Sequence, residues 1–290
     1  MFVKSNKLSD LKTYFFKKLE LHFSSSEMKF MFNRALEERL NLSKEDLLFA
    51  NDIRLSESDL LFVRTIAHRL LDNEPFQYIL GNTEFYGLEI NCDKRALIPR
   101  PETEELVDWI KESFINRSEN LQIIDFCTGS ACIALALKSV FKTSKITATD
   151  VSQEALDLSL DNANKNQLKI ELIKHDLLKE STDFLDDNSL DCIVSNPPYI
   201  PEKDKSEMSD NVLNFEPHIA LFVSNENPLI FYKKIAEIAK QKLKSGGLLF
   251  FELHENLAEE TKQLLLKLNF QDIEIKQDLQ GKNRMLKAEK

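Results

Sequence analysis

The chain predicts an α/β fold, a largely parallel sheet flanked by helices, with an all-helical segment in front of it. Three observations carry that prediction. From residue 121 onward, apolar strand-type runs alternate with helical periodicity, the pattern of a parallel sheet. The first 75 residues show helical periodicity and little else. Prolines and glycines punctuate the stretch between the two.

In the helical segment, Phe15, Phe16, Leu19 and Phe23 form one amphipathic face, and Met28, Met31, Phe32, Ala35, Leu36 and Leu40 another. Ser43-Lys44-Glu45-Asp46 and Ser56-Glu57-Ser58-Asp59 match the capping-box pattern. The second precedes a helix through Leu60, Val63, Ile66, Ala67 and Leu70 that ends near Asn73. Glu74-Pro75 breaks the periodicity. Phe76–Gly81 and Thr83–Ile90 then read as two short β-type runs forming a hairpin, followed by prolines and a helix through Leu106, Val107 and Ile110. Strands are expected at 121–125, 145–150, 169–174, 190–195 and 247–253, with helices near 131–141, 152–164, 227–244 and 255–268. The tail adds candidate strands at 272–275 and 284–288. The expected division is a helical domain at 1–73, a β-hairpin linker at 74–100 and an α/β domain at 101–290.

Composition excludes several classes. At 290 residues, 42% hydrophobic and 30% charged, the chain is an ordinary globular sequence. No apolar run approaches the roughly 20 residues of a membrane span. The N-terminus lacks a secretory apolar core, so a cytoplasmic location is expected. Cys92, Cys127, Cys132 and Cys192 show no CxxC spacing, which suits buried thiols better than disulfides or metal ligands. Residues 1–75 carry 12 Lys+Arg and 12 Asp+Glu, whereas the remainder carries 26 against 36 and accounts for the net charge of −10. An acidic α/β half argues against stable nucleic-acid binding, which rests on phosphate contacts from Lys and Arg.

The chemistry-bearing residues follow successive strands. Ile123-Ile124-Asp125-Phe126-Cys127-Thr128-Gly129-Ser130-Ala131 runs from a strand through a small-residue turn into a helix, where backbone N–H groups can approach a ligand. Asp150 ends the second strand, a place suited to accepting from both hydroxyls of a ribose. Asp176 follows the third, where a carboxylate can accept from an adenine amino group while Leu177 covers the ring. Singly, each acid reads as a cap or a surface charge; three after three strands form a constellation. A nicotinamide-binding fold shares the first turn and the ribose acid. It does not account for Asn196-Pro197-Pro198-Tyr199 after the fourth strand.

An amide or aryl NH2 is a weak nucleophile because its lone pair is delocalised. A site that activates it needs acceptors for both N–H bonds, and the Asn196 side-chain oxygen and the Pro197 carbonyl are uncharged acceptors. Two prolines stiffen the loop, and Tyr199 offers a ring for a flat group. Asn-Pro-Pro-Tyr resembles the catalytic loop of methyltransferases that alkylate a planar nitrogen, and with the three acids it resembles the seven-stranded, Rossmann-like S-adenosylmethionine-dependent fold. In that resemblance, Asp125 with Cys127, Thr128, Gly129, Ser130 and Ala131 holds the methionine portion, Asp150 the ribose, and Asp176 with Leu177 the adenine. The methyl group then faces Asn196, and S-adenosylhomocysteine is the product.

Pro75–Gly81, Phe85-Tyr86-Gly87, Leu97–Glu104, Phe215-Glu216-Pro217 and Gly281–Arg284 extend the likeness over essentially the whole chain. They resemble the HemK/PrmC family, the peptide chain release factor glutamine methyltransferases. The resemblance implies methylation of the glutamine amide in the Gly-Gly-Gln loop of release factors, without a metal. Asn196, Pro197, Pro198 and Tyr199 then face the substrate, and Arg100 and Glu216 shape its mouth or form a loop salt bridge. Rival readings are a ribosomal-protein glutamine methyltransferase, an adenine N6-type nucleic-acid methyltransferase, or a binding module that has lost the cofactor. One departure stands out. The family has glycine where this chain has Cys127 and Ala131, a cost of roughly 1 kcal/mol or more at any such position that needs φ > 0.

Overall fold

The computed structural model describes residues 3–42, 45–46, 53–116 and 119–290, so the cap expected at Ser43-Lys44 lies outside the described residues. The chain forms two compact units, Met1–Gly81 with Asp210–Phe215, and Asn82–Ser209 with Glu216–Lys290.

The first unit is helical. It contains α1 (Leu8–Leu19), α2 (Ser25–Leu40), α3 (Glu57–Leu71) and α4 (Phe76–Leu80). Helices α2 and α3 each start at a reciprocal capping box, Ser24 with Glu27 and Ser56 with Asp59, which satisfies N–H groups that the first turn leaves free. Leu11, Phe15, Phe32, Leu36, Val63 and Ile66 are buried together, and the Phe15 and Phe32 rings lie 5.4 Å apart. Burying each such side chain stabilises the bundle by about 1.5–3 kcal/mol.

The expected β-run at Phe76–Gly81 is corrected here, because α4 occupies it. Pro75 caps the turn, Gly81 at φ 83° ends it, and the Gly81 N–H donates to the Gln77 carbonyl at 2.8 Å. Phe76 and Ile79, three residues apart, share one helical face and enter the bundle core. The hairpin is instead built from β1 (Asn82–Phe85) and β2 (Leu88–Asn91), with Phe85 opposite Leu88. Its two-residue loop places Tyr86 at φ 52° and Gly87 at φ 74°, the double positive φ of a type I′ turn.

In the second unit α5 (Pro101–Ser113) leads to the sheet. The order along the chain is β3 (Gln122–Phe126), α6 (Cys132–Val140), β4 (Lys145–Asp150), α7 (Gln153–Lys165), β5 (Glu171–Lys174) and β6 (Leu190–Ser195). After the short β7 (Ile200–Pro201) the chain enters α8 (Asp210–Phe215), which belongs to the first unit, and then the second unit resumes with β8 (Phe222–Val223), α9 (Ile230–Lys242), β9 (Leu243–Glu252), α10 (Ala258–Lys267), β10 (Gln271–Gln277) and β11 (Asn283–Glu289). Among the described residues seven strands form one sheet in the order β10-β11-β9-β6-β3-β4-β5. β11 runs against the direction shared by the other six strands. Ile124, Phe126, Ile193, Phe250 and Phe251 are fully buried, as expected of central strands covered on both faces. The hairpin is fastened to this unit, since the Asn91 N–H donates to Asn162 on α7 at 2.7 Å and the Tyr86 hydroxyl to Asp108 on α5 at 2.6 Å.

The topology places the site. The chain proceeds outward from β3 to β4 and β5, then returns to β6 on the other side of β3. Strand order therefore reverses between β3 and β6, and a crevice opens beyond their carboxyl ends.

Candidate active site

A cavity of about 320 Å³ lies in that crevice. Cys127, Thr128, Gly129 and Ser130 line it after β3, Asp150 after β4, Asp176 and Leu177 after β5, and Asn196 and Pro198 after β6. Arg100 completes the predicted residues on its wall. Asp125, Ala131, Pro197, Tyr199 and Glu216 are not among its lining residues.

Backbone conformation dominates the first turn. Cys127, Gly129 and Ala131 have φ of 60°, 57° and 62°, so all three positions are left-handed and only the middle one is glycine. The turn survives this because it is held from several sides. The Thr128 N–H donates to the Thr149 carbonyl at 2.9 Å, and the Gly129 N–H to Asp150 Oδ2 at 2.9 Å. Ser159 and Asn162 on α7 donate to the carbonyls of Gly129 and Ser130. From beneath, Asp125 Oδ2 accepts the Thr128 hydroxyl at 2.5 Å.

The three acids differ in environment. Burial drives Asp125 up to about 7, against the lowering effect of the Thr128 hydroxyl, with the Asp150 charge adding to the rise. Asp150 is likewise raised by burial, opposed by the N–H groups of Ser152 and Gly129. Asp176 is lowered by its 2.9 Å bond from Lys179 Nζ. Asp150 and Asp176 bring negative charge to the wall, which favours a cation, and a sulfonium bears that charge. The volume falls in the range of small-ligand sites, and the residues present fit S-adenosylmethionine.

Behind the Asn196 loop is an arrangement that sequence reasoning missed. The buried Glu252, at the end of β9, accepts the Tyr199 hydroxyl at 3.0 Å and the Thr103 hydroxyl at 2.6 Å. One carboxylate thus ties the loop after β6 to the first turn of α5. Burial raises Glu252, partly countered by those two hydroxyls, and raises Tyr199 as well. The available signal was an acid closing a strand after Phe250-Phe251, the same placement that marked Asp150.

Arg100 and Glu216 form an ion pair in which the glutamate side chain is 1% exposed. Glu216 also accepts from the Ile98 N–H at 3.2 Å, so it anchors the 98–100 segment on the cavity wall. Ile98, from the Leu97–Glu104 segment, supplies an apolar part of the wall together with Ile219 and Phe231, which no motif announced. Among the described residues no helix is long and apolar enough to cross a membrane.

Known proteins resemble this chain in sequence and in fold. A family model described as "Methyltransferase small domain" matches residues 103–214, and one described as "PrmC N-terminal domain" matches 30–81. A release factor glutamine methyltransferase of Flavobacterium psychrophilum is 40% identical over 97% of this chain and 98% of its own length. One of Streptococcus pneumoniae is 42% identical over 85% of this chain and 86% of its own. Among solved structures, a methyltransferase from Pyrococcus furiosus covers 77% of this chain and 96% of its own at 20% identity, with a TM-score of 0.53. The T. thermophilus 16S rRNA methyltransferase RsmC, in complex with AdoMet and guanosine, covers 72% of this chain and 49% of its own at 18% identity, with a TM-score of 0.51. These structural likenesses establish the shared fold.

Proposed function

The chain belongs to the release factor glutamine methyltransferases, and we propose how its residues divide that work. It transfers a methyl group from S-adenosylmethionine to the side-chain amide nitrogen of the glutamine in the Gly-Gly-Gln motif of peptide chain release factors. The observation that carries the assignment of roles is that Asn196 shares one cavity wall with the 127–130 turn, Asp150 and Asp176.

In this reading the 127–131 turn, steadied by Asp125 from beneath, holds the methionine part of the cofactor. Asp150 holds the ribose, and Asp176 with Leu177 the adenine. Bound there, the cofactor supplies a methyl group on a positively charged sulfur, and S-adenosylhomocysteine remains once the amide nitrogen has taken the methyl. The Asn196 side-chain oxygen accepts one amide N–H, and the Pro197 carbonyl beside it the other. The nitrogen lone pair is thereby turned toward the cofactor, and its surplus proton passes to solvent. Pro198 forms part of the wall beside the glutamine. Tyr199, its hydroxyl committed to Glu252, anchors the loop. Arg100 and Glu216 fix the wall segment at the mouth. Neutral acceptors suffice because positioning in well-oriented reactions contributes roughly 7–11 kcal/mol. The proposal needs no metal and no nucleic-acid partner.

Two substitutions test the division of labour. Asn196→Ala should lower turnover on intact release factor by about 100-fold or more while leaving S-adenosylhomocysteine affinity within about threefold. Asp150→Ala should show the reverse order, with cofactor affinity falling first. Labelled methyl transfer, with the target glutamine changed to alanine as the control, and calorimetry read the two effects. Full turnover in the Asn196 variant would remove the mechanism.

A further inference from the structure

The cavity wall near the catalytic loop carries an exposed isoleucine that the roles above leave unused. Pro217, Ile219 and Ala220 line the cavity together with Asn196 and Pro198. Ile219 is 63% exposed, more than a backbone alone contributes to the surface of an isoleucine, so its side chain is open to an arriving ligand. Covering such a side chain is favourable, and its position decides what covers it.

The backbone fixes Ile219 beside the loop that holds the glutamine. Strands β7 and β8 pair in parallel, Ile200 with Phe222 and Pro201 with Val223. The Ile200 N–H donates to the Leu221 carbonyl at 2.9 Å. Pro198 and Ile219 each precede that bond by two residues, within about 8 Å of it along their chains. The turn bearing Ile219 is held at several points. The Ala220 N–H donates to the Pro217 carbonyl at 2.9 Å and the Leu221 N–H to the His218 carbonyl at 3.1 Å. The His218 ring packs edge-on to Phe222 at 5.3 Å. Just upstream, Glu216 is held by Arg100 and by the Ile98 N–H. A side chain on such a turn is already in place when a ligand binds.

With the target amide at Asn196 and Pro197, the glutamine side chain enters the cavity while its main chain stays at the mouth, against this turn. The residue immediately before that glutamine in the Gly-Gly-Gln motif is glycine, whose backbone can be approached most closely. We propose that Ile219 is a specificity-determining residue whose side chain covers the backbone of that glycine and fills the space that a Cβ there would need. The inference rests on the placement of the glutamine amide proposed above and adds the residue that selects its neighbour. An alanine before the glutamine must push Ile219 off its place or draw the amide back from Asn196.

Labelled methyl transfer to intact release factor tests this. The factor is used with its natural Gly-Gly-Gln loop and with Gly-Ala-Gln, and the enzymes are wild type, Ile219→Val and Ile219→Ala. For wild type, kcat/KM should be about 50-fold lower on Gly-Ala-Gln than on Gly-Gly-Gln. For Ile219→Ala the difference should shrink to about fivefold or less, with Ile219→Val between. Whatever the alanine does to the factor's own loop is common to all three enzymes and cancels when their ratios are compared. Ile219 is exposed, so truncating it spares the core, and S-adenosylhomocysteine affinity by calorimetry should stay within about twofold. Equal discrimination by wild type and Ile219→Ala overturns the assignment while leaving glutamine methylation intact. A parallel loss of S-adenosylhomocysteine affinity also overturns it, by placing Ile219 against the cofactor. Failure of wild type to methylate the Gly-Gly-Gln factor overturns the underlying reading as well.

Discussion

Two residues of the cofactor turn carry strain that their neighbours contain. Cys127 and Ala131 hold the left-handed φ that glycine adopts freely, at roughly 1–2 kcal/mol for each side chain. Cys127→Gly should therefore be neutral to about 1 kcal/mol stabilising, since glycine's larger unfolded-state entropy offsets part of the relief. Cys127→Val should cost about 2 kcal/mol or more, because a branched side chain fits that region worst. Urea unfolding of the two variants checks the ordering, and a more stable valine variant would contradict it. Asp125 stores a different cost. Its carboxyl titrates near 7 in the folded protein, against about 4 for an unfolded chain. Below about pH 4 both states hold the proton, so this group leaves stability intact there. Between about pH 4 and pH 7 the folded state binds more protons than the unfolded, so stability falls as pH rises and levels off above 7. The full effect is on the order of 4 kcal/mol. Asp125→Asn keeps an acceptor for the Thr128 hydroxyl and should flatten this decline, so its stability relative to wild type should improve between about pH 5 and about pH 8. Identical pH slopes for the two proteins would show that Asp125 does not titrate in that window.

At the level of elements, the site depends on loops being fixed to each other as well as to strand ends. Glu252 joins Tyr199, in the loop after β6, to Thr103 in the first turn of α5. Tyr199→Phe leaves a buried carboxylate with one donor fewer, at a cost of about 1–3 kcal/mol. The loop carrying Asn196 is then less firmly placed, and turnover on release factor should fall by about tenfold or more. S-adenosylhomocysteine affinity should hold within about twofold, because Tyr199 lies off the cavity wall. A parallel loss of both would mean that the variant disturbs the whole crevice. The elements that sequence located well, β3 to β6 with their helices, announce themselves by local periodicity. Their site residues follow because topology puts every strand's carboxyl end at one edge. Residues 76–80 misled because Phe76, Tyr78 and Leu80 alternate like a strand, and the Phe76–Ile79 spacing matters only once a bundle core exists to receive it. Glu252 and Thr103 escaped for a related reason. Their meaning is pairwise, between positions 149 residues apart, and no local pattern encodes it.

At the scale of the molecule, the two units have separate cores. The bundle core of Phe15, Phe32, Val63 and Ile66 shares no member with the cluster of Phe126, Ile193, Tyr232 and Phe251 in the α/β unit. The cofactor cavity is lined entirely from the second unit. A glutamine side chain fills little of a protein substrate, so recognition of a whole release factor needs surface beyond the cavity, and the charge-balanced helical unit is the part of the chain that chemistry leaves uncommitted. Phe15 is fully buried, and truncating such a side chain to alanine costs about 3–5 kcal/mol. Phe15→Ala should therefore loosen the helical unit selectively, with a lower first transition in a calorimetric scan. S-adenosylhomocysteine affinity and turnover of a short Gly-Gly-Gln peptide should stay within about twofold, since neither draws on that core. KM for intact release factor should rise by about tenfold or more, as follows from the proposal that this unit docks the substrate. If peptide and intact release factor lose activity to the same degree, the helical unit supports the enzyme's folding and takes no part in choosing its substrate.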